Sequence, residues 1–248
     1  MKVLANVNPR KLLAANLFAA KDDVRFYLEG VHIERHPECG VILVGTDGHA
    51  MAAIHDPSGW IDPEHKSLII ARLSGEMRRG LLKEVSKPLD GKRLAIGETV
   101  TVLADGLRFD PSTPFGDGWL RAYPSSLVDG SYPDWRRVLR EHAAGWCSET
   151  PPMNPALIDR VSDAGAILHP DLEEFSARPA MSLMTGSAEK SPVIVRFREY
   201  PLSDEFVGAI MPMGGFDPLG ATVPEWALEK PRKPRVRSTP NGLAVTAN

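Results

Sequence analysis

Five side chains able to hold a metal or move a proton, His32, His36, Cys39, His49 and His55, fall within 24 positions. His32 and His36 have the i, i+4 spacing that sets two imidazoles on one face of a helix in HExxH zinc enzymes. Here Ile33 stands where the catalytic Glu belongs, and the surrounding alternation reads as a strand. Paired CxxC elements are absent, and a catalytic zinc needs three converging ligands with hydrogen-bonded support. No metal or other cofactor is therefore expected. Thr46-Asp47-Gly48-His49 sets a carboxylate near an imidazole, yet no Ser or Cys stands in a nucleophile elbow and no Gly-rich phosphate loop occurs. His49 reads as a strand-end residue bonded to a neighbour. The chain is expected to bind rather than catalyse, with a metal-dependent enzyme on His32, His36, Cys39 and His49 as the competing reading.

The cations give a second pattern. Arg79, Lys83 and Lys87 recur at i, i+4, i+8, opposite Met77, Leu81 and Val85, with Arg78 beside them. That spacing predicts a helix with an apolar stripe against a sheet and a basic stripe outward. An earlier helix adds Arg10 and Lys11, whereas a later one offers Arg160 between Asp159 and Asp163. The net charge of −3 excludes a globally basic nucleic-acid binder and leaves a locally basic surface open.

These residues need a scaffold, and the chain supplies one in repeated form. Met1 to Val7 alternates as a strand, and Asn8-Pro9 gives a cap residue and a first-turn proline. Strands are expected over Asp23 to Glu34 and within Gly40 to Asp56, with a positive-φ glycine at Gly48. The order recurs with a strand from Lys66 to Leu73, a Ser74 cap, a helix from Gly75 to Lys87, and strands at Arg93 to Ile96, Val100 to Phe109 and Trp119 to Val128. A third copy runs from a short strand at Gly145 to Ser148 through an Asn154-Pro155 helix to strands at Ala180 to Thr185, Pro192 to Tyr200 and Phe206 to Met213. Three βαβββ units follow, an α+β architecture whose units need neighbours to cover their faces.

Between the second and third units lies Asp129-Gly130-Ser131-Tyr132-Pro133-Asp134-Trp135-Arg136-Arg137-Val138-Leu139. Pro133 fixes φ and removes a donor, which makes this an extended junction. The direction in which Trp135 packs is left open. Residues 216–248 carry the run Lys230-Pro231-Arg232-Lys233-Pro234-Arg235-Val236-Arg237 and read as a flexible, Pro-rich basic tail. Two cysteines, Cys39 and Cys147, and no signal-like leader fit a reducing, cytoplasmic compartment. No apolar run approaches the roughly 18 residues of a membrane span.

Four runs, Asp23-Val24-Arg25-Phe26-Tyr27-Leu28-Glu29-Gly30, Thr46-Asp47-Gly48-His49, Leu127 to Leu139, and Met211-Pro212-Met213, resemble in the same order the β sliding clamp of bacterial DNA polymerase III. The resemblance covers residues 1–142 as the clamp's middle domain and, more thinly, 143–215 as part of its last domain, with no counterpart of the first. It implies a DNA-clamp fold with helices lining a central hole and antiparallel sheets outside. It also implies sequence-independent encirclement of duplex DNA and tethering of a DNA polymerase, or a clamp loader, through short apolar peptide motifs. Arg10, Lys11, Arg78, Arg79, Lys83 and Lys87 would face DNA. Leu28, Thr46, Gly48, His49, Met51, Pro133, Arg137, Val138, Ile210, Met211, Pro212 and Met213 would form the peptide groove, whose methionines repack around different ligands. Ala50 departs from the family's usual Arg, and Gly214-Gly215 from its usual Arg-Leu. Three units per chain against twelve in the family's ring imply a homo-oligomer, with four chains favoured. A clamp-derived peptide-binding module that does not encircle DNA, and competes for clamp partners, is the alternative.

Overall fold

The computed structural model describes residues 2–85, 99–110, 121–140, 151–169, 178–186 and 191–214. The expected strands at 93–96 and 145–148, the boundary at 142/143, Lys87 and the basic tail lie outside these residues. Strand β1 (Val3–Val7) leads into helix α1 (Pro9–Asn16), where the Asn8 side chain accepts the Arg10 and Lys11 amides and Pro9 takes the first turn. The strand expected from Asp23 starts later. Asp23 Oδ1 accepts the Arg25 amide at 2.8 Å, its Oδ2 accepts the guanidinium at 2.7 Å, and Leu28 N–H donates to Arg25 O, so Phe26–Leu28 curls into a 3-10 turn.

Strands β2 (Gly30–Arg35), β3 (Val41–Thr46), β4 (Ala50–Asp56) and a short β5 (Trp60–Ile61) complete the first unit. The second holds β6 (Ser67–Ala71), helix α2 (Gly75–Val85), and β7 (Thr99–Leu103), β8 (Gly106–Asp110) and β9 (Arg121–Pro124). Ser74 Oγ accepts the Met77 amide at 3.2 Å, as its cap role requires. The single strand expected over 100–109 is two, because the chain reverses at Ala104–Asp105 and Leu103 pairs with Gly106. After Pro133 comes a short helix α3 (Arg136–Arg140). The third unit follows with α4 (Pro155–Leu168), capped by Asn154, then β10 (Met181–Met184), β11 (Val193–Phe197), α5 (Leu202–Glu205) and β12 (Phe206–Ile210).

Among the described residues all strand pairings are antiparallel, in sheets ordered β5-β1-β7-β8-β9 and β10-β11-β12-β4-β3-β2-β6. The first two units exchange their opening strands: β1 pairs with β7, and β6 with β2. Neither can close its sheet alone. The third unit extends the larger sheet through β12 and β4, with Ala209 opposite Met51 and Ile210 opposite Ala50. On the helix side Leu12, Leu13, Phe18, Leu81 and Val161 meet Ile33, Leu43, Ile54, Val195 and Ile210 in one core. At roughly 1.5–3 kcal/mol per buried large side chain, this interface dominates stability. No helix among the described residues is long and apolar enough to cross a membrane.

Candidate functional site

The outer face of the seven-stranded sheet carries a second apolar cluster. Ile42, Val44, Met51, Ala53, Ile194 and Ala209 come from the strands, and the junction lays Trp135 on them, with Tyr132, Val138 and Leu139 packed alongside. Trp135 therefore packs inward at 8% exposure. A ladder of polar contacts holds the junction there. Arg136 lies 2.5 Å from Glu34, Glu34 lies 3.2 Å from His32, and the His32 ring stacks on Tyr132 at 4.5 Å, whose hydroxyl donates to Val44 O at 3.3 Å. Burial pushes the Tyr132 phenol up, against a smaller opposing hydrogen bond from the Thr46 backbone. At Glu34 burial acts to raise the carboxyl, but hydrogen bonds from His32 and Arg136 outweigh it and hold it below its ordinary value.

Beside the cluster, Thr46 to Ala50 forms a tightly bonded turn. Asp47 Oδ1 accepts the His49 and Ala50 amides at 2.9 Å each, Thr46 Oγ1 donates to Ala50 O at 2.9 Å, and Gly48 has φ +86°, a conformation that favours glycine. Arg160 of α4 reaches Asp47 Oδ2 at 2.5 Å. Burial acts to raise Asp47, but Arg160 and the two amides outweigh it and hold the carboxyl below its usual range. On the far side, Met211 N–H donates to His49 O and Met213 N–H to Pro152 O, both at 2.8 Å. The two methionine side chains stay 38% and 41% exposed. An exposed apolar lip thus stands next to the buried outer cluster, on a turn fixed from both sides.

No family model matches the chain. The beta sliding clamp of Escherichia coli (strain K12) is 32% identical over 137 residues, covering 55% of this chain and 32% of that protein. The beta sliding clamp of Vibrio cholerae serotype O1 is 33% identical over 144 residues, covering 57% of this chain and 34% of that protein. Among solved structures, a sliding clamp (DNA polymerase III subunit beta) from Bartonella birtlesii, bound to griselimycin, matches with TM-score 0.54 at 16% identity over 86% of this chain and 67% of that one. The chain is β-clamp-like. It spans about a third of the length of the curated relatives it matches.

In this β-clamp-like chain the expected groove residues divide. Met51 and Val138 meet in the outer cluster. Thr46 pairs with Met51 in register, and His49 and Met211 are joined by a hydrogen bond. Pro133 and Arg137 are exposed on the junction, and Pro212 is half-buried between the two methionines. Leu28 and Ile210 are buried at 3% and 0%, Ile210 in the helix-side core, so both lie beneath the surface as support. An open cavity of 890 Å³ lies beneath the junction, lined by His32, Glu34, Leu68, Ile69 and residues 127–136. Pro133 alone belongs to both it and the expected groove. Arg25, Asp47, Trp135 and Arg160 also shape the site; the first three lie inside the runs that carry the resemblance, and Arg160 lies outside them.

The expected DNA-facing residues divide as well. Arg79 and Lys83 are exposed and Arg78 half-buried, while Met77, Leu81 and Val85 are buried. Lys11 does not point outward. Its side chain is 12% exposed, and its ammonium donates to His55 O at 2.9 Å and pairs with Glu205, the last residue of α5, at 2.9 Å. Arg10 bonds to Val85 O and to Ile167 O, bridging the ends of α2 and α4. Of the metal-capable residues, His36, Cys39 and His55 come together, whereas His32 is stacked on Tyr132 and His49 sits on the turn.

Proposed function

We propose that this chain is a non-catalytic, sliding-clamp-like processivity factor that encircles duplex DNA as a homo-oligomeric ring and tethers a DNA polymerase or other partner through a peptide groove. The observation that carries this reading is the exposed Met211–Met213 lip beside the buried Met51–Val138–Trp135 cluster. An extended apolar motif gains burial there on a pre-formed floor. Two units over 1–142 and a third over 143–215 leave β10 at a sheet edge, with Leu183 39% and Met184 49% exposed, and a neighbouring copy would cover it. Four such chains would supply twelve units. Exposed Arg79 and Lys83 would meet phosphates without reading sequence.

Met213→Asp should weaken a clamp-binding peptide by about 1–3 kcal/mol through the cost of burying a charge, with the fold retained. Unchanged affinity would remove the groove assignment. A topological ring stays on nicked circular DNA in high salt and slides off once the circle is cut. Equal loss from both forms favours the second reading, a peptide-binding module that competes for clamp partners without encircling DNA. One observation favours that reading: Arg10 and Lys11 are engaged within the fold. Native mass spectrometry showing only monomer at micromolar concentration would also favour it.

A further inference from the structure

His36, Cys39 and His55 stand together at the turn between β2 and β3, and their donor atoms all lie within 4.8 Å of one another. The topology brings them there. His36 and Cys39 flank a turn in which His36 N–H donates to Gly40 O at 3.1 Å and Gly40 takes φ +75°, and His55 enters from β4 opposite Ile42. The two imidazoles stack at 3.9 Å with 20° between their planes.

The hydrogen bonds assign one tautomer. His55 Nε2 lies 2.9 Å from the Cys39 carbonyl, which can only accept, so Nε2 carries the proton and Nδ1 keeps a free lone pair. A ring N–H given to a backbone carbonyl is the arrangement found behind metal-bound imidazoles. His36 Nδ1 accepts the Glu38 and Cys39 amides at 3.2 and 3.4 Å, so its lone pair lies on Nδ1, and a metal ion taken at that nitrogen would replace these two bonds. A cavity of 150 Å³ opens beside both imidazoles, its charged lining being Arg196, Asp204 and Glu205, with room for a water molecule.

The geometry points to a second binding function: His36, Cys39 and His55 form a three-donor site for a zinc-class divalent ion, with water in the fourth position. One thiolate and two imidazoles suit a borderline-soft ion and disfavour magnesium or calcium. Bonds of roughly 2.0–2.3 Å at tetrahedral angles place donors about 3.3–3.6 Å apart, so donors now within 4.8 Å of one another close by at most about 1.5 Å and the rings turn out of their stack. Cys39 is exposed on the turn and supplies that movement. Binding sends the thiol proton to solvent and cross-links the turn to β4.

The test uses the full chain, stripped with chelator and titrated with Co²⁺ and then Zn²⁺. One saturable equivalent, a thiolate-to-cobalt absorption in the near ultraviolet that Zn²⁺ displaces, and a rise in Tm are expected. Cys39→Ser should abolish the absorption, His55→Ala should weaken binding at least tenfold, and Cys147→Ser and His65→Ala should change neither. Circular dichroism checks the fold of each variant. An absorption that persists in Cys39→Ser, one that depends on Cys147, or no saturable binding at tens of micromolar metal overturns the site.

Discussion

Arg160→Met tests whether the turn at Asp47 is clamped by α4. The change removes the cation and keeps most of the aliphatic stem. Arg160 Nη1 lies 2.5 Å from Asp47 Oδ2, and the two side chains are only 27% and 19% exposed. Hydrogen bonds to charged groups contribute about 1.5–3 kcal/mol, and fully exposed pairs less than about 1. A pair this sheltered falls between, so the variant should lose about 1–2 kcal/mol. Asp47→Asn keeps Oδ1 for the His49 and Ala50 amides and removes the charge, so a double-mutant cycle should give a coupling of about 1 kcal/mol. The pH dependence has a definite sign. The folded carboxyl is depressed, so its contribution is present above the ordinary carboxylate value of 3.8 and is lost as pH falls through the lower folded value. The gap in urea midpoint between wild type and Arg160→Met should therefore be full at neutral pH and shrink in strong acid. Equal midpoints at neutral pH, or a gap that persists unchanged in acid, would refute the clamp.

Trp135→Ala should destabilise by about 3 kcal/mol in chemical denaturation, since a ring 8% exposed leaves a void over Val44, Met51 and Ala53. Lys11→Met should lower stability, leaving Glu205 and Asp56 without their cation, and leave the salt dependence of DNA association unchanged. Arg79→Glu with Lys83→Glu should have the reverse profile: little change in Tm, and a salt slope of DNA association smaller by about 2.

What the sequence made legible was local. Caps at Asn8, Ser74 and Asn154 mark real helix starts because a side-chain oxygen two or three residues from an amide is a short-range event. The buried stripe of Met77, Leu81 and Val85 was legible for the same reason: helical period alone places it. The exchange of β1 and β6 between units was not, since strand partners are chosen by packing across some 90 residues, as with Val7 and Val100. The pairing of Lys11 with Glu205 was not legible, because position on a helix does not reveal which side chain of another unit reaches it. The metal-capable residues were legible but their grouping was not, because His55 reaches His36 only through antiparallel pairing of β3 and β4.

Sheet continuity connects the candidate sites. Strand β12 joins β4 from Phe206 opposite Ile54 to Ile210 opposite Ala50, and the next residue, Met211, bonds His49. The methionine lip therefore exists only while the third unit is docked on the first. Three contacts from that unit secure the docking at separate points: Arg160 on Asp47, Glu205 on Lys11, and the strand ladder itself. Two of them end beside functional candidates, the turn carrying His49 and the backbone of His55 to which Lys11 donates. Loosening the third unit should thus disturb the peptide lip and the His36–Cys39–His55 cluster together, whereas Arg79 and Lys83, on a helix of the second unit, should keep their exposure.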